Sequence, residues 1–103
     1  MSRFNINNLN GEEKEKLLDK LFEAVKQLKS KQEIVSFFRD LLTDSESVML
    51  ARRLQIAQMI VDKKSFYEIR EEMGASFDTI NSVKRFVEYG SDGYKKVIER
   101  LVS

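Results

Sequence analysis

From residue 12 onward, apolar positions recur at steps of three and four, and no stretch alternates with a period of two. Leu17, Leu18, Leu21, Phe22, Val25 and Leu28 make one stripe. Ile34, Phe37, Phe38, Leu41 and Leu42 make a second, and Met49, Leu50, Leu54, Ile56, Ala57 and Ile60 a third. Ile69 with Met73, then Ile80 with Val83, continue the pattern in two shorter pieces. This spacing predicts six helices, over 12–29, 31–42, 44–62, 66–73, 77–89 and 92–102, and an all-α fold.

Start signals agree with the stripes. Asn10-x-x-Glu13, Ser30-x-x-Glu33, Thr43-x-x-Glu46 and Ser65-x-x-Glu68 each read as a capping box. In such a box the first side chain accepts a bond from a first-turn N–H, and the Glu reaches back to the cap residue's own N–H. Ser76 and Ser91 read as plain caps, with Asp78 and Asp92 near the positive ends of their helix dipoles. Gly74 marks a sharp turn, and Gly90 and Gly93 bracket the last connection. No linker, low-complexity run or repeat interrupts the chain, so residues 1–103 read as one domain. Within it, 1–11 is expected to be a flexible N-terminus, 12–62 to hold dimerisation helices, 66–89 to form a helical hairpin and 92–102 a C-terminal helix.

The first two helices carry more apolar surface than a short pair can hide against itself. A hydrophobic arm on a domain this small suggests burial against a second copy of the chain. The competing reading is that the same residues cover the core of a monomer.

Composition narrows the chemistry. The chain has 103 residues, with 42% hydrophobic and 34% charged, as expected of an ordered, soluble domain. It has neither Cys nor His, which removes thiolate chemistry, the usual general base and the commonest metal ligand. Neighbouring carboxylates such as Glu71 and Glu72 point to different faces of a helix, and paired acid–base work needs a cleft. Met49, Met59 and Met73 read as core filler. No enzyme, catalytic residue, metal or cofactor is expected. The stretch "MSRFNINNLN" has no apolar run of signal-peptide length and no segment is long enough to span a bilayer, so the expected location is the cytoplasm.

The pieces 66–73 and 77–89, joined by three residues with Gly at the turn, fit a helix-turn-helix, whose second helix enters the major groove. If Ile80 and Val83 face inward, Phe77, Asp78, Asn81 and Ser82 face outward. Asn81 can pair with adenine, while Thr79, Ser82 and Phe77 can contact bases or a thymine methyl. Lys84, Arg85, Lys63 and Lys64 are placed for phosphates, and Tyr67 and Ser76 complete the candidate DNA-binding set. An αα-hairpin in any helical bundle has the same spacing. The net charge of +1 also lacks the basic excess usual for a nucleic-acid partner.

The stretch from Leu21 to Leu101 resembles the Trp repressor superfamily, particularly its Trp-repressor-like bacterial regulators. The resemblance is carried by "LFEAVKQLKSKQEIVSFFRDLLTDSE", "LARRLQIAQMIVDKKSFYEI", "GASFDTINSVKR" and "YGSDGYKKVIERL". It implies an intertwined homodimer reading successive major grooves of a palindromic DNA operator. The expected function is therefore a DNA-binding transcriptional regulator, a repressor. The alternative is a helical protein–protein adaptor that uses its Phe-rich N-terminal helices. By resemblance, Thr43 and Arg53 match the family's ligand pocket, although the favoured reading of a lone helical Arg is a solvated or ion-paired side chain, with Glu46 in range for Arg53. Two positions depart from the family. Ser82 stands where an Arg is usual, and Val83 stands where the classical repressor has Gly and is expected to fill ring-sized space. A tryptophan corepressor is therefore not expected. Arg70, where two helices cross and a small residue is usual, suggests a looser hairpin.

Overall fold

The computed structural model describes residues 5–102. A single 3-10 turn at Ile6–Asn8 leads into six helices: α1 (Gly11–Lys26), α2 (Lys31–Leu41), α3 (Asp44–Val61), α4 (Phe66–Met73), α5 (Phe77–Tyr89) and α6 (Gly93–Val102). Of the segment expected to be flexible, residues 1–4 lie outside the described residues. In the remainder, Asn5 accepts the Asn7 N–H at 2.9 Å and so caps the 3-10 turn.

The caps explain most of the boundaries. Asn10 accepts the Glu13 N–H at 2.8 Å, and Thr43 and Ser65 form complete capping boxes with Glu46 and Glu68. Four details differ from expectation. The Glu13 carboxylate accepts from the Asn10 side-chain amide at 2.8 Å rather than from its backbone N–H. Helix α1 ends at Lys26 because Gln27 and Leu28 tighten onto the Ala24 and Val25 carbonyls, both at 3.1 Å. At α2, Ser30 accepts the Glu33 N–H as expected, but the Glu33 carboxylate takes the Lys29 N–H at 3.0 Å rather than that of Ser30. At α6 the Asp92 carbonyl accepts from Lys96, so Asp92, held at φ +67°, takes the cap position assigned to Ser91. Gly90 is required where it stands, because a Cβ there would collide with the Phe86 carbonyl oxygen.

The chain divides into two compact units, one ending at Leu41 and the other starting at Leu42. Among the described residues, all buried core positions belong to the second: Ile56, Ala57 and Met59 of α3, Ile69 of α4, Ala75 of the turn before α5, Ile80, Val83 and Val87 of α5, and Ile98 of α6. Leu54, Ile60, Val61, Met73 and Tyr94 pack around them. No polar side chain is buried among the described residues. Met49, expected in the core, is 48% exposed, and the buried residues of α3 are Ile56, Ala57 and Met59, all in its C-terminal half. In the first unit neither α1 nor α2 buries a residue. Phe37 and Phe38 touch edge-to-face at 5.7 Å, while Leu17 and Phe22 stand open. No described helix is long and apolar enough to cross a membrane.

Candidate nucleic-acid interface

Helices α4 and α5 are set by local chemistry at both ends of a three-residue turn. Ser65 accepts the Glu68 N–H at 3.1 Å and the Glu68 carboxylate accepts the Ser65 N–H at 3.0 Å. That backbone bond, with the Ser65 hydroxyl, holds the Glu68 carboxyl below its ordinary value. At the far end Gly74 adopts φ +61°, the left-handed conformation that lacks a penalty only for Gly, and its N–H returns to the Arg70 carbonyl at 2.9 Å. Ala75 then plugs into the core, and Ser76 caps α5 by accepting the Thr79 N–H at 3.2 Å. The Ser76 hydroxyl also donates to the Thr79 hydroxyl at 3.1 Å, so both candidate hydroxyls are engaged in the cap. Arg70 is exposed and does not hold the two helices apart.

The connection before α4 is fixed just as tightly. The Lys64 N–H reaches back to Met59 and the Lys63 N–H to Ile60, both at 3.0 Å, which closes α3 as a Schellman motif. Lys63 occupies the left-handed position at φ +66°, where Gly is usual. This places two consecutive lysines directly before the α4 N-terminus.

Along α5, Ile80, Val83 and Val87 face the core, as the periodicity requires. The remaining candidates divide between two sides. Phe77, Asn81 and Lys84 line a groove of about 390 Å³ with Lys63, Lys64, Phe66 and Glu88, floored by Ile60, Ile69 and Ile80. Asp78, Thr79 and Ser82 instead line a cavity of about 420 Å³ against α3, with Met49, Arg52, Arg53, Ile56, Val83, Phe86 and Tyr94. Arg85 and Tyr67 are exposed and line neither space. The groove therefore unites three cations, one carboxylate, an amide and two aromatic rings.

The second cavity bears on three residues singled out by the resemblance. Val83 is buried in the core and also forms part of the cavity wall. Arg53 forms no ion pair with Glu46, whose carboxylate takes the Thr43 N–H at 2.9 Å, and it stands in the cavity wall. Thr43 is absent from that wall; its hydroxyl accepts the Glu46 N–H at 3.1 Å as the α3 cap. Those bonds to Thr43 keep the Glu46 carboxyl below its ordinary value.

Sequence reasoning missed two residues. Arg52 reaches across the fold and donates to the Met73 carbonyl at 2.6 Å, tying α3 to the C-terminal end of α4. A cation there also meets the negative end of the α4 dipole. The contact spans 21 positions, so no local pattern announces it. Phe66 contacts Phe77 edge-to-face at 5.1 Å and 64°. Its signal was available: an aromatic residue opening each of two adjacent short helices.

Comparison with known proteins agrees with the six-helix fold. The family model for the Trp repressor protein matches residues 16–102. The uncharacterized protein YerC of Bacillus subtilis is 40% identical over 96 residues, covering 93% of this chain and 88% of its own. A candidate Trp repressor from Staphylococcus aureus superposes with a TM-score of 0.77 at 37% identity, over 96% of this chain and 95% of its own. A TrpR-like protein from Eubacterium eligens gives a TM-score of 0.79 at 38% identity, over 90% and 96% of the two chains.

Proposed function

Because the chain belongs to the Trp repressor family, we propose that it is a cytoplasmic, homodimeric transcriptional regulator, a repressor, that reads duplex DNA with α4 and α5. The observation that carries this reading is the groove where Lys63, Lys64 and Lys84 surround the exposed Asn81 and Phe77. Lysines at the rim suit phosphates, and an outward amide near the front of the second helix suits a base edge. The near-neutral total charge is compatible with this, because these cations gather on one face. The acidic Asp78 lies on the other side of α5, against Arg52 and Arg53.

The reading is tested by titrating variants against a preferred duplex and a scrambled one. Asn81→Ala should weaken the preferred duplex by about 1–3 kcal/mol and leave the scrambled one unchanged. Lys84→Ala should weaken both alike and reduce the salt slope by about one. If both variants bind every duplex as the parent does, the groove is not the reading surface.

Tryptophan is not the corepressor in this reading. Arg53 and Ser82 share the second cavity, so only one side of a two-Arg clamp on an aromatic ring is present. The adjacent Arg52 guanidinium is engaged by the Met73 carbonyl. DNA affinity should therefore be the same with and without millimolar tryptophan. Calorimetric detection of stoichiometric tryptophan binding would overturn this part.

A protein–protein adaptor remains the second reading, favoured by the exposed Leu17, Leu18 and Phe22 of α1. Retention on heparin that is released by salt separates the two, because an adaptor of net charge +1 would pass through.

A further inference from the structure

We propose that Phe66 and Phe77 act together to read the 5-methyl group of one thymine in each DNA half-site. The inference rests on the DNA-binding reading above and names a specificity element within it. Phe77 opens α5 and is 61% exposed, although the core lies one turn away at Ile80. Phe66 opens α4 and is 38% exposed. Their rings meet edge-to-face at 5.1 Å and 64°, a favourable arrangement that holds the outer ring in one orientation. Each ring has two side-chain torsions, so little freedom remains to be lost on contact.

The occupant follows from what surrounds the pair. Lys63, Lys64 and Lys84 outnumber the single carboxylate, Glu88, in the same groove, so the apolar edge lies beside a net positive lining suited to a polyanion. In the major groove the thymine methyl is the one apolar group that distinguishes a base pair, and it projects close to its own strand's phosphates. An apolar edge rimmed by lysines complements that juxtaposition. Phe77 is then the contacting residue. Phe66 is a positioning residue, acting through the ring it holds.

The test removes the methyl alone. In a preferred duplex, each thymine in turn is replaced by deoxyuridine, and affinity is followed by fluorescence anisotropy for the full-length parent and variants. The parent should lose about fourfold at one position per half-site, the effect of one methyl-sized apolar group. Phe77→Ala and Phe77→Gln should bring the thymine-to-deoxyuridine ratio at that position close to one. Phe66→Ala should lower the ratio and Phe66→Tyr, which keeps the ring, should restore it. Because the ratio is taken within each variant, a loss of active fraction does not move it. A parent indifferent to deoxyuridine everywhere, or sensitivity that survives in both Phe77 variants, overturns the proposal while sequence-specific binding stands. A full ratio in Phe66→Ala removes the positioning role. If no duplex sequence is preferred at all, the DNA-binding reading falls and this proposal with it. Capture of a protein partner by the Phe pair in that case would assign the surface to protein instead.

Discussion

Helices α1 and α2 begin with the same kind of Asn or Ser cap as α3 to α5, yet the two compact units treat their apolar residues in opposite ways. The unit from Leu42 onward gathers nine buried residues into one core. None of the described residues of the unit ending at Leu41 is buried, and Phe22 is 62% exposed within it. Caps and dipoles contribute only about 1 kcal/mol each, and most helical stability in proteins comes from packing an apolar face. Equal local signals therefore do not imply equal stability. The second unit has a tertiary reason to fold, whereas the first has apolar stripes without a covering surface of its own. A second copy of the chain is the cover we propose, which would make the arm the dimerisation element.

The largest test of that contrast is a charge in the arm. Phe38→Asp in a proposed dimer interface would bury an unpaired carboxylate, and folding of α1 and α2 should be lost together with dimerisation. Sedimentation and circular dichroism at micromolar concentration check this, and a fully folded monomeric parent would break the contrast.

Matched truncations sharpen it. Ile69→Ala removes a side chain only 1% exposed and should cost about 2–5 kcal/mol. Ile34→Ala, exposed on α2, should cost comparably only if the arm is covered by a partner. Its cost should then appear as a denaturation midpoint that depends on protein concentration. A negligible, concentration-independent effect of Ile34→Ala would leave the arm uncovered.

Within the second unit, Arg52→Leu should cost about 1–2 kcal/mol in chemical denaturation by leaving the half-buried Met73 carbonyl without its donor. A smaller effect is expected from acid. Glu46 and Glu68 hold their protons less readily than the ordinary value of 4.5 because the Thr43 and Ser65 N–H groups bond the ionised carboxylates. The unfolded chain lacks those bonds and is protonated first. Their stabilisation is thus complete above about 4.5 and is lost as pH falls through the lowered values. Melting temperatures between pH 6 and 3 should decline less steeply in Glu46→Gln/Glu68→Gln than in the parent.

The elements where sequence and structure agree are those set by local chemistry. The periods of apolar residues and the Thr43, Ser65 and Ser76 caps place α3 to α5 within one residue of the expected limits. The family resemblance also reached the fold. The site was read less completely, because periodicity says which residues face outward but not which neighbours they meet. It grouped Asp78, Thr79 and Ser82 with Asn81, whereas the packing of α5 on α3 turns them toward Arg52 and Arg53. The resemblance, not the periodicity, matched Thr43 to a ligand pocket; its hydroxyl caps α3 and it does not line the second cavity. Val83, expected to fill that pocket, is buried in the core and forms part of the cavity wall. Arg52 and the Phe66–Phe77 pair depend on contacts between elements, which only the folded chain displays.

The central claim, that α4 and α5 read duplex DNA as part of a symmetric regulator, is tested most directly by selecting bound sequences from a pool of random duplexes. A two-fold regulator should enrich a palindromic motif whose half-site centres lie about one helical turn, roughly 10 base pairs, apart. Failure to enrich any motif would contradict DNA reading, and enrichment of a single unrepeated site would contradict the two-fold dimer.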